Sequence, residues 1–302
     1  MLAGAVAALG GYIHAHVSSD FTRLRLWRLI LWPIAAAAVV AIVAIIPPRA
    51  EFGASMTAAF VAVYAALLLA GVSACRVAGI PVGDVLGPLP RDGRPWFRAA
   101  LLGPLVLAFS AASMWATVFV ASSVSPEWAA RQLAGGDDPM TLIERLSTTQ
   151  RYLLAALAVV VAPMAEEFAF RGLLMRRWMA KRGFWTGLIG SAALFAVLHP
   201  PNWIGAFVFS LVAGALYLWS GSLALPIIVH AINNAFVALA LFAQQLAPAE
   251  TQAAPTIAEF RSGWIGPLIM LLVIGASIVA VTLPLLLEAR RRTEFPGDAP
   301  GP

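Results

Sequence analysis

Residues 152–175 read YLLAALAVVVAPMAEEFAFRGLLM, and within them only Glu166, Glu167 and Arg171 carry charge. A helix that crosses a bilayer needs about 20 apolar residues, because the hydrocarbon core is about 30 Å thick and each residue rises about 1.5 Å. The stretch therefore reads as a membrane-spanning helix that holds ionisable groups inside it. Backbone groups find no water in lipid, so such a segment is a helix rather than a strand.

The rest of the chain has the same character. Of 302 residues, 61% are hydrophobic and 12% charged, against roughly 45–50% and about 25% in soluble domains. That composition excludes a soluble enzyme, a disordered chain and a collagen-like fibre. Further stretches at about 29–46, 54–75, 99–125, 184–201, 204–221, 223–243 and 264–287 are apolar enough to span or nearly so. The expected fold class is all-α, a polytopic membrane helix bundle of about eight transmembrane helices. The expected organisation has an interfacial or re-entrant segment over 1–28, short, glycine-broken and carrying His14 and His16. N-terminal transmembrane helices and loops follow over 29–151, then a core over 152–243. A last loop and helix over 244–287 and a polar tail over 288–302, expected to be disordered, complete the chain. No internal repeat marks an inverted-repeat transporter.

The net charge is +5, and Lys181 is the one lysine among 20 basic residues. No basic patch interleaves with aromatics on a polar face, so nucleic acid is not an expected partner. The positive-inside rule accounts for the charge better. With the N-terminus in the cytoplasm, fourteen basic residues fall in inside segments and five (Arg49, Arg131, Arg145, Arg151 and Arg261) in outside loops. Eight spans with both termini cytoplasmic follow from that split. Cys75 is the single cysteine, which excludes an intramolecular disulfide and a cysteine metal site and reads as a buried apolar residue.

Of the 15 acidic residues, only Glu166 and Glu167 fall deep inside a span. His199 and His230 also fall within expected spans. An ionisable group at the centre of a membrane helix costs at least about 2.5–3.5 kcal/mol on insertion scales, which makes it a functional candidate. Glu167 and Arg171 stand at i,i+4 with the acid first, the favoured ion-pair orientation. Glu166 is turned about 100° from Glu167, so it faces the bundle interior while Glu167 holds Arg171. Pro163 is expected to kink the helix and admit water. Phe195 and His199 lie one turn apart on one face. His230 and Asn234 share a second i,i+4 face, with Asn233 at i,i+3 as an alternative to Asn234. Each pattern has a plain structural reading: a charge cluster that fixes register, an interfacial histidine, a polar clamp between helices.

Together, Glu166, His199, His230 and Asn234 on three apolar helices make up the inventory of a water-activating hydrolytic site. A carboxylate takes the proton of water, one histidine holds that water, and a His/Asn pair donates to the oxyanion. Counting from the Arg-rich ends sets these groups at different depths, unless the helix 152–175 continues past Arg176 and Arg177 into the cytoplasm.

The ordered trio EExxxR (Glu166, Glu167, Arg171), FxxxH (Phe195, His199) and HxxxN (His230, Asn234) resembles the CPBP family. That family comprises the type II CAAX prenyl endopeptidases and bacterial relatives linked to bacteriocin processing or self-immunity. The resemblance covers about residues 152–240, making 152–243 a CPBP-like catalytic core. It implies intramembrane peptide-bond hydrolysis, with Glu166 as base beside His199, and His230 with Asn234 as the oxyanion site. Glu167, Arg171 and Phe195 support that site. No metal or other cofactor is expected; the alternative is Zn²⁺ held by Glu166, His199 and His230. No HExxH helix is present, asparagine is a poor zinc ligand, and the Arg171 charge opposes a nearby cation. Expected partners are the lipid bilayer and a membrane-anchored peptide, CAAX-type or bacteriocin-like, in a bacterial cytoplasmic membrane suggested by the Arg- and Ala-rich composition. Two competing classes are a proton-coupled transporter, since buried Glu and His also build proton relays, and a non-catalytic immunity or scaffold protein on the same fold.

Overall fold

The computed structural model describes residues 19–27, 31, 34, 52–134, 146–200, 202–246 and 255–294, and all regular structure among these is helical. The helices are α1 (Phe52–Ala78), α2 (Val82–Leu86), α3 (Gly93–Val124), α4 (Pro126–Leu133), α5 (Thr148–Arg182), α6 (Phe184–Val197), α7 (Trp203–Ser220), α8 (Ala224–Leu246), α9 (Ile257–Ser262) and α10 (Ile265–Glu294). A short 3₁₀ turn, Ser19–Arg23, precedes them. His14, His16 and, apart from residues 31 and 34, the expected span 29–46 lie outside the described residues.

Five of these helices (α1, α3, α5, α7 and α10) are long and apolar enough to cross a membrane. The expected spans 184–201 and 223–243 correspond to α6 and α8, of which α6 has only 14 residues. At about 1.5 Å per residue α6 is about 21 Å long, well short of a hydrocarbon core of about 30 Å. Pro200 follows closely and the last turn cannot continue past it. His199 therefore sits in the turn after α6, not within a span as expected.

α5 runs unbroken from Thr148 to Arg182, as the extension past Arg176 and Arg177 requires. Ser147 opens it with a capping box: its hydroxyl accepts from Gln150 N–H while the Gln150 side chain accepts from Ser147 N–H. That exchange satisfies two donors the first turn would otherwise leave open. Gly183, at φ 91°, is the single-residue turn into α6. Gly187 then lets α6 lie backbone to backbone on α5, since a Cβ there would stand 2.6 Å from Met179 N and 2.7 Å from Met175 O.

α7 packs between α6, α3 and α10, and α8 lies against α3, α7 and the N-terminal half of α5. One core gathers Phe21, Cys75, Val85, Phe168, Leu188 and Tyr217, which bears out the expected burial of Cys75. A second gathers Leu102, Phe195, Phe209, Leu216 and Val229.

Two expectations about charge are corrected here. Arg176 is a buried anchor (1% exposed) rather than a loop charge. Its guanidinium donates to Asp84 O at 2.9 Å and to the Tyr217 hydroxyl at 3.1 Å, and lies 3.7 Å over the Phe21 ring. The tail does not lose its structure at Glu288, because α10 continues to Glu294. Glu288 pairs with Arg292 one turn on and accepts from Trp219 Nε1 at 2.9 Å, which holds that last stretch against α7.

Candidate active site

α5 carries two π-helical stretches, Leu157–Val161 and Phe168–Met175, on either side of Glu166 and Glu167. Such widened turns concentrate at functional sites. In the first, Ala162 N–H bonds Leu157 O, a spacing of five residues. The next bond in that register would come from residue 163, but Pro163 has no N–H. Ala158 O is thereby left without a backbone donor, and Asn234 Nδ2 supplies one at 2.7 Å. Pro163 thus acts on the hydrogen-bond register of a helix that stays continuous through it.

Glu166 and Glu167 point to different partners, as their 100° offset requires. Glu167 is fully buried and its Oε1 accepts from Arg171 Nη1 at 2.9 Å. The same oxygen lies 2.8 Å from His230 Nδ1, so Glu167 is more than Arg171's counter-ion. The carboxylate can only accept, hence Nδ1 carries the proton and Nε2 faces the cavity. The Arg171 guanidinium in turn lies 4.4 Å over the Phe195 ring and 5.3 Å over that of Phe209.

Glu166 faces the cavity. Its Oε2 lies 3.8 Å from His199 Nε2 and 3.9 Å from His230 Nε2. The structure thus brings together at one depth three groups from α5, α8 and the turn after α6. Phe195 stacks on the His199 ring at 4.2 Å and 22°. His199 Nδ1 donates to Phe195 O at 2.7 Å, which leaves Nε2 of the neutral ring as an acceptor turned to Glu166.

Sequence reasoning missed Tyr64 on α1. Its hydroxyl donates to Glu166 Oε1 at 2.8 Å, so one carboxylate oxygen is held and the other, Oε2, has no hydrogen-bond partner among the described residues. The available signal was a tyrosine hydroxyl midway along an apolar span whose other hydroxyls, Ser55, Thr57 and Ser73, lie toward its ends. The cavity has a volume of about 480 Å³. Tyr64, Glu166, His199, His230, Asn233 and Asn234 line it, between walls that include Phe60, Val106, Phe209 and Phe242.

Glu166, His199 and His230 are the residues that would hold zinc. Tetrahedral Zn²⁺ with bonds of about 2.0–2.1 Å sets its donors about 3.3–3.4 Å apart. The separations of 3.8 and 3.9 Å are wider, and no group of three His, Cys, Asp or Glu among the described residues is arranged as a ligand set. As placed, these side chains do not fit the ion.

The family model for type II CAAX prenyl endopeptidase Rce1-like proteins matches residues 148–236. No curated protein and no solved structure matches the chain. The matched segment begins with the first turn of α5 and ends within α8, so it holds Glu166, Glu167, Arg171, Phe195, His199, His230 and Asn234 but not Tyr64. Residues 148–236 of this integral membrane protein thus match the Rce1-like model of type II CAAX prenyl endopeptidases, which is consistent with the CPBP resemblance of the three motifs they hold.

Proposed function

We propose that the protein is an intramembrane endopeptidase that cuts a membrane-associated peptide with a glutamate-activated water and no metal. The observation that carries this reading is Glu166 Oε2, unpaired and set within 4 Å of two histidine Nε2 atoms in a half-open cavity. A water donating to Glu166 Oε2 and to His199 Nε2 is held by two acceptors. Its oxygen attacks the scissile carbonyl as Glu166 takes its proton, and the carbonyl π electrons move onto oxygen. His230 Nε2–H and the second Asn234 amide hydrogen donate to that oxyanion. Because His230 Nδ1–H is committed to Glu167, this donation uses the imidazolium, whose charge Glu167 offsets. Collapse of the tetrahedral intermediate breaks the C–N bond, and Glu166 returns its proton to the leaving amine.

The substrate is a membrane-anchored peptide, CAAX-type or bacteriocin-like. Arg177, Lys181 and Arg182 at the end of α5 and Arg290, Arg291 and Arg292 at the end of α10 support placing both ends at the cytoplasmic face of a bacterial cytoplasmic membrane. Eight spans result when 29–46, α6 and α8 are counted with the five long helices. Terminal proteomics of a deletion strain complemented with the wild-type or the Glu166→Ala gene tests the function. New peptide termini restored only by the wild type are expected. Identical termini in both strains, together with Glu166-dependent proton flux in vesicles, would establish a transporter instead.

A further inference from the structure

Two side-chain amides in the cavity take no part in this chemistry. Asn202 and Asn233 each follow a cavity histidine by three residues, and both line the cavity. The Oδ1 atoms of both are buried with no hydrogen-bond partner among the described residues. Asn202 occupies the N-cap position of α7, where asparagine ordinarily accepts from the first turn, yet it makes no cap bond. Its side chain lies instead in a space that only a residue without Cβ leaves open. A Cβ at Gly205 would stand 2.2 Å from Ser110 Oγ and 2.5 Å from Asn202 Oδ1. Asn233 is likewise uncommitted: Asn234 gives one amide hydrogen to Ala158 O and is assigned the oxyanion with the other, whereas Asn233 Oδ1 has no partner among the described residues.

A buried amide without a partner carries its full desolvation cost until something supplies the missing bond. The hydrocarbon tail of a fatty-acyl or isoprenoid chain has no N–H or C=O and would leave both Oδ1 atoms unpaired. An extended peptide presents backbone N–H and C=O groups along its edges, the currency of strand-like recognition. A primary amide turned about its last bond exchanges O for NH₂, and a peptide has a partner for either.

We propose that Asn202 and Asn233 bind the main chain of an extended peptide on either side of the reacting bond, so that the cavity selects peptide backbone over lipid chain. This rests on the hydrolytic reading above and assigns its substrate contacts. The test uses the full-length Glu166→Gln protein in nanodiscs of phosphatidylethanolamine and phosphatidylglycerol. The probe is a fluorescent, N-myristoylated octapeptide of alternating Leu and Ala, compared with an analogue in which alternate backbone N–H groups are ester oxygens. The amide probe is expected to bind roughly tenfold tighter than the ester, as one or two hydrogen bonds supply. With Asn202→Leu and Asn233→Leu added, the ratio falls to about one. Leucine keeps the branched outline of asparagine and removes an unpaired buried atom, and the unfolding temperature of this variant, read beside its binding, separates lost recognition from a lost fold. Gly205→Ala, whose Cβ displaces Asn202, lowers the ratio in part. A ratio unchanged by the leucine substitutions, or a parent that binds both probes equally or not at all, overturns the proposal. Cleavage by the protein with Glu166 intact is scored separately: cleavage without amide discrimination removes the two asparagines and leaves the protease, while discrimination without cleavage does the reverse.

Discussion

The Tyr64 hydroxyl on α1 donates to Glu166 Oε1 on α5 at 2.8 Å, across 102 residues of sequence. This bond distinguishes the two carboxylate oxygens: Oε1 is held, and Oε2 is left to the histidines. Tyr64→Phe keeps the ring and removes only the donor. A hydrogen bond to a charged group contributes about 1.5–3 kcal/mol, so kcat is expected to fall about ten- to a hundredfold with little change in KM or unfolding temperature. Steady-state cleavage in nanodiscs measures this, and an unchanged kcat would show that Glu166 needs no such anchor.

The Glu167–Arg171 pair is buried on both sides, so removing either partner strands the other's charge. Arg171→Met and Glu167→Gln should each cost about 3–5 kcal/mol of stability, and the double variant less than the sum. Thermal unfolding in detergent gives the cycle. Activity should not recover in the double variant, because His230 Nδ1 has still lost its carboxylate. Recovery would mean that Glu167 serves Arg171 alone.

Asn234 has a structural bond and a proposed chemical one, and Pro163 allows the two to be separated. Asn234→Ala should lower kcat by the equivalent of about 2.7–4 kcal/mol, the usual cost of an oxyanion donor, and should destabilise the fold by orphaning Ala158 O. Adding Pro163→Ala supplies an N–H at position 163 that can bond that carbonyl. Stability is then expected to return while activity does not. Joint recovery of both would assign Asn234 a purely structural role.

A metal-free reaction should survive chelation. Purified protein treated with 1,10-phenanthroline and then dialysed is expected to retain its cleavage rate, and elemental analysis should find zinc far below one ion per chain. Loss of activity reversed only by Zn²⁺ would assign the three donors to a metal despite their present spacing.

What the sequence makes legible is local. The spacings Glu167–Arg171 and Phe195–His199 specify neighbours one turn apart, and both pairs are in contact. Glu166 and Glu167 face different partners because adjacent helical residues must. What it hides depends on which helices become neighbours or on the backbone register. Tyr64 approaches from a helix that carries none of the three motifs. Asn234 and Ala158 meet because a π-helical turn coincides with a residue lacking N–H, which periodicity does not reveal. Arg176 resembles a topogenic loop charge until α2, α7 and the Ser19–Arg23 turn close around it.

The brevity of α6 bears on where the reaction obtains its water. A segment shorter than the hydrocarbon layer is met by thinning of the bilayer around it, and α6 ends at Val197, just before His199. The His199 side chain is 38% exposed at that end, whereas the His230 side chain is 8% exposed. The short helix thus ends at the histidine proposed to hold the nucleophile, on the more exposed side of the cavity, where water has the shorter path to it. The dry face of the site, around Glu167, Arg171 and His230, stays beneath the bundle. Hydrolysis inside a lipid layer needs both conditions at once, a wet edge that supplies the reactant and a sealed interior that keeps the charges in register.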